Sequence, residues 1–105
     1  MFKDYDNFDA VGLAQLVRNK QVSPEQLLEE AIARVEQRDP GLNSVVNKLY
    51  EHGRAAIRAG LPDGPLRGVP FLLKDLSALC AGAVTTNGCR FFQGNVADHD
   101  TELVA

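Results

Sequence analysis

Cysteine is scarce: Cys80 and Cys89 are the only thiols in 105 residues. Two are too few for a disulfide framework, and they lack metal-ligand spacing. A reduced, cytoplasmic setting is the expectation that follows. Long apolar runs are missing as well. No stretch approaches the ~20 apolar residues needed to cross a bilayer. The opening Met1-Phe-Lys-Asp-Tyr-Asp6 is not followed by the apolar core of a secretory signal. There is no excess of positive charge. Eleven Lys and Arg against 14 Asp and Glu leave a net charge of -3. Nucleic-acid-binding modules usually carry a basic face, so the balance argues against that class. The chain has no internal repeat, no low-complexity segment and no Gly/Ser-rich run, and Ser23, Ser44 and Ser77 are its only serines.

What is present is enough for a small core. Apolar residues make up 45% of the chain, close to the globular average. Residues 9 to 20 read as a helix: Asp9 is the N-cap, Phe8 can staple to Leu13, and Leu13, Leu16 and Val17 form an apolar stripe. A second helix starts at Ser23. Ser23 is the N-cap, Pro24 stands where its missing N–H costs nothing, and Gln26 completes a capping box. Leu27, Leu28, Ala31, Ile32 and Val35 mark its buried face, with Glu29, Glu30, Arg34, Glu36 and Arg38 assigned to the wet side. Asp39-Pro-Gly41 ends it. Residues 44–49 are a short strand candidate, and Tyr50 to Ala59 reads as a helix closed by Gly60.

Residues 60 to 70 hold three Gly and three Pro and are expected to be a loop. The apolar run Val69-Pro-Phe-Leu-Leu73 follows and ends on Lys74 and Asp75. Such a run predicts a strand buried on both faces, as in the sheet of an α/β domain. The expected fold class is therefore α/β, with N-terminal helices over 9–59 and a strand and loop region over 64–105. One central strand is not a closed architecture. The last residues, Asp100-Thr-Glu-Leu-Val-Ala105, read as the first turn of a helix capped by Thr101. On both grounds the chain is expected to be an incomplete N-terminal fragment of a mixed sheet.

Lys74 is the residue most able to carry chemistry. In open α/β sheets, ligands bind outside the carboxyl ends of strands. A lysine there either snorkels to water or, when desolvated, loses its proton and serves as a base. Asp75, its neighbour, points to the opposite face of a strand and is expected to hold a turn or a supporting hydrogen bond.

Gly64-Pro-Leu-Arg-Gly-Val-Pro-Phe-Leu-Leu-Lys-Asp75 followed by Thr85-Thr-Asn-Gly88 resembles the start of the amidase signature family. The upstream helix start at Val22 to Leu27, the segment Pro40 to Val46 and the closing Asp98 to Val104 are similar to it too. The resemblance covers nearly the whole chain from Asp9 onward. It implies serine hydrolases that cleave carboxamide C–N bonds with a Ser–cis-Ser–Lys triad on an α/β fold. Lys74 matches the catalytic lysine. The resemblance places both triad serines well downstream, so this chain alone is expected to be inactive. Ser77 follows Lys74 by three residues but matches no family nucleophile.

Cys89 stands where the family usually has serine. It is expected to be a small buried residue and not a nucleophile, since no histidine lies near it in sequence. His52 and His99 read as surface residues. His99 lies between two aspartates without a recognised ligand pattern, so no metal and no cofactor are expected. The expected partner is a small-molecule amide, with no nucleic acid and no membrane. A homo-oligomer or a complementing chain is also expected. Two alternatives stay open: a non-catalytic association module derived from the same fold, and part of an amidotransferase A subunit.

Overall fold

The computed structural model describes residues 2–105, which divide into two compact units, one running to Pro70 and the other Phe71–Ala105. The first is helical. Helix α1 (Ala10–Arg18) begins where the Asp9 carboxylate accepts from the Gly12 N–H at 2.7 Å. Helix α2 (Pro24–Arg38) begins on a complete capping box. The Gln26 N–H donates to Ser23 Oγ at 3.1 Å, and the Ser23 N–H donates to Gln26 Oε1 at 2.8 Å. Helix α3 (Tyr50–Ala59) ends at Gly60, whose φ of +99° suits glycine. All three match the helices read from the sequence. Among the described residues, no helix is long and apolar enough to cross a membrane.

The core of this unit is small. Leu13, Val22 and Leu27 are buried together, and Phe2, Tyr5, Leu16, Val17 and Val69 pack on them. Gly68 closes it from the loop. Its φ is +86°, and a Cβ there would stand 3.1 Å from Val17 Cγ1 and 3.2 Å from Pro24 Cγ. Gly68→Ala is expected to destabilise the helical unit by about 1–3 kcal/mol, through backbone strain and overpacking together. Gly60→Ala meets open space and is expected to cost less. Urea melts followed by far-UV circular dichroism compare the two; equal losses would contradict the packing part.

Glu30 departs from expectation. It does not lie on the wet side but is 6% exposed, paired with Arg34 at 3.1 Å. The cause is tertiary. Arg34 reaches Asp6 at 2.7 Å and covers the Tyr5 ring at 5.3 Å, so the N-terminal turn Tyr5–Asn7 folds over this face of α2. Arg38 joins the same Asp6 carboxylate at 2.8 Å. Helix α3 has no buried residue. It is held to α2 by the Arg54–Glu29 fork at 2.7 and 3.0 Å and by Gly53 against Leu28.

The predicted sheet is not formed. Among the described residues there is no strand, only an isolated antiparallel bridge between Val84 and Val96. A strand exists only through its neighbours, and Val69–Asp75 finds no extended backbone to pair with. The boundary between the two units falls inside this run, after Pro70. Its side chains are not buried on both faces: Phe71 is 77% exposed, and Leu72 also faces out. The α/β expectation, with first strands of a mixed sheet, is corrected to three helices followed by irregular chain. Residues 44–49 are not a strand either. The Asp39 carboxylate draws that backbone into a turn by accepting from the Ser44 N–H, the Ser44 hydroxyl and the Val45 N–H. Thr101 does not cap a helix through its hydroxyl. Its carbonyl instead accepts from the Val104 and Ala105 N–H groups in a turn.

Candidate active site

The second unit is built from turns. Thr85-Thr-Asn-Gly-Cys89 supplies the tightest of them. Asn87 and Gly88 have φ of +52° and +71°, and the Cys89 N–H donates to the Thr86 carbonyl at 2.9 Å. Two positive φ values in succession are the pattern of a type I′ turn, for which Asn-Gly is the preferred pair. The Ala97 N–H donates to the Ala83 carbonyl, and the Thr85 N–H donates to the Asn95 carbonyl. These bonds fix the approach to the turn.

The turn is tied to the segment carrying Lys74. Asp75 Oδ1 accepts from the Thr86 N–H at 2.6 Å, and Asp75 Oδ2 accepts from the Thr86 hydroxyl. The Asn87 N–H adds a smaller electrostatic pull that lowers the pKa of this carboxyl. In return, Asn87 Oδ1 accepts from the Ser77 N–H at 3.3 Å. Ser77 has a φ of +58°, a left-handed conformation that costs a non-glycine residue about 1–2 kcal/mol, and this bond helps to hold it. Asp75 thus holds a turn. Thr86 as its chief partner was not read from the sequence. The signal was present as an Asn-Gly turn eleven residues beyond a lone aspartate, but spacing alone does not say what a turn packs on.

Hydrogen bonding by the Thr86 hydroxyl, then by the Thr86 and Asn87 amides, holds the Asp75 carboxyl below its ordinary value. A carboxyl whose folded pKa is lowered stabilises the fold fully above its unfolded value. That stabilisation is lost as the pH falls through the folded value. The expected result is that Thr86 amide protection stays constant down to about pH 4, the ordinary carboxyl value, and fails only below it. Amide exchange from pH 6 to pH 2 measures this; a midpoint well above 4 would contradict it.

Lys74 itself is exposed, and no hydrogen bond or ion pair among the described residues engages its ammonium. Cys89 is exposed at the end of the turn, not buried as expected, whereas Cys80 is buried and its thiol is pushed up by burial. His52 and His99 are exposed. His99 Nδ1 lies 2.6 Å from Asp98 Oδ1. A groove on the helical unit is lined by Glu25, Leu28, Glu29, Arg54, Ile57 and Arg58. Its charged groups largely satisfy one another, and it holds no nucleophile. The Lys74–Asp75 segment is the candidate, with Asp75 bound to the Thr86 turn and Lys74 exposed beside it.

A family profile described as Amidase matches residues 26–105. The 6-aminohexanoate-cyclic-dimer hydrolase of Paenarthrobacter ureafaciens is 39% identical over 98 residues, covering 91% of this chain and 20% of that protein. The A subunit of the glutamyl-tRNA(Gln) amidotransferase of Halorhodospira halophila is 37% identical over 92 residues, covering 80% of this chain and 18% of that one. A solved structure of 6-aminohexanoate cyclic dimer hydrolase superposes with a TM-score of 0.87 at 35% identity, over 99% of this chain and 21% of that one. A bacterial aryl acylamidase of the amidase signature family superposes with a TM-score of 0.76 at 38% identity, over 90% and 21%. The chain spans about a fifth of the length of the relatives it matches.

Proposed function

The chain belongs to the amidase signature family, and from that premise we propose that it is the N-terminal part of a hydrolase that cleaves carboxamide C–N bonds in a small molecule. Lys74 is the base. As a neutral amine it takes a proton through a bridging serine, so that a second serine attacks the amide carbonyl. Backbone N–H groups stabilise the oxyanion that forms. Both serines belong to a part of the enzyme beyond these 105 residues. The observation that carries the reading is the pairing of two motifs: Asp75 is fastened to the Thr86 turn, while the neighbouring Lys74 amine is left unpaired and accessible.

The exposed apolar side chains, Phe71, Leu72, Phe91 and Leu103 among them, support completion of the core by a further segment or a complementing chain. Cys80 and Cys89 are not joined in a disulfide, which fits a reducing, cytoplasmic setting. The amidotransferase match favours one alternative, in which the same lysine works inside an A subunit.

The test is a transplant. Placed in the Paenarthrobacter hydrolase in exchange for its matching fifth, this chain is expected to support hydrolysis of the cyclic dimer. The 105-residue chain alone is expected to release no amine. A soluble, folded hybrid without turnover would count against the reading. Turnover that appears only with added amidotransferase subunits would favour the alternative.

A further inference from the structure

All the bonds that fasten this segment land within three residues of Lys74. Two donors converge on Asp75: the Thr86 N–H and the Thr86 hydroxyl. The Thr86 oxygen also accepts from the Gly88 N–H at 3.1 Å, so its own proton is free for Asp75. The direction of every bond is thereby fixed. A carboxylate accepts on both oxygens, whereas a carboxamide would set an NH₂ against a donor. Nothing among the described residues grips the lysine side chain, so its placement is inherited from the main chain.

We propose that Asp75 and Thr86 are positioning residues, a clasp that fixes the backbone of Lys74 and so aims its amine. The proposal rests on the reading of Lys74 as the base. A reacting group displaced by about 1 Å loses rate by as much as ~10²-fold. The clasp acts on where the amine stands and not on whether it is protonated.

The first arm of the test uses the 105-residue chain labelled with ¹⁵N. In Thr86→Val, the Lys74 amide order parameter is expected to fall from the rigid range near ~0.85 to below ~0.6. Ser77 loses exchange protection, while the Leu13 and Leu27 amides, in the other unit, do not change. Thr86→Ser keeps the hydroxyl and restores the parent pattern. An unchanged Lys74 order parameter in Thr86→Val overturns the proposal. The second arm uses the transplant enzyme. Thr86→Val and Asp75→Asn are expected to lower kcat about 10- to 10²-fold with KM and the pH–rate profile unchanged, and Thr86→Ser recovers the rate. Unchanged kcat in Thr86→Val, with Lys74→Ala dead, rejects the clasp alone. An active Lys74→Ala rejects the reading beneath it. If the transplant makes no product, the relaxation arm decides.

Discussion

Lys74→Ala in the transplant enzyme is expected to cut kcat by about 10²–10⁴-fold, the range a general base contributes, and in the 105-residue chain to change Tm little. The two halves of that result come from different facts. In the 105-residue chain the side chain is exposed and unpaired, so its removal there leaves no cavity and no orphaned partner. Surface changes of that kind stay within about 0.5 kcal/mol. The loss of rate follows from chemistry. With no base, the serine keeps its proton and attacks as a weak nucleophile. Lys74→Arg makes the test sharper, because a guanidinium keeps the charge but stays protonated at any working pH. An arginine enzyme that turns over as fast as the parent would show that the position needs a cation and not a base. An alanine enzyme within about threefold of the parent would end the assignment.

The second large effect is on stability. Leu27 is 0% exposed and is the largest fully buried side chain among the described residues. It joins Leu13 and Val22 in the core and underlies the contacts of Val17 and Val69. Leu27→Ala removes buried methyl groups and leaves a cavity that helices fixed by their caps do not readily close. The expected loss is about 2–5 kcal/mol. Small domains hold only about 5–15 kcal/mol in total, so the helical unit would lose a large share of its stability. Leu28→Ala, at a partly exposed position on the same helix, is expected to cost less. Chemical denaturation of both variants measures the difference, and a loss below about 1 kcal/mol for Leu27→Ala would mean the core closes around the gap.

The helices were legible in the sequence because their signals are local. Asp9, the Ser23–Gln26 box and Gly60 each act within four residues of themselves, and the structure uses each where it was read. The strands were not legible, because an apolar run says what a segment wants to bury and not what is present to bury it. Val69–Asp75 has the composition of a central strand and no neighbour to pair with. Glu30 was misplaced for a related reason. Its helical position faces outward by periodicity, but Asp6 and Tyr5, more than twenty residues upstream, draw Arg34 over it. The candidate site divides in the same way. Lys74 stands out as a candidate from the motif around it. The Thr86 contact spans eleven residues of irregular chain, and only the folded turn shows it.

The water-facing phenylalanines bear on how a cell handles this polypeptide. Phe91 is 87% exposed, and Phe71 and Leu103 are nearly as open. Rings left bare in this way invite non-native association during and after synthesis. Cover over these side chains is expected to suppress that association.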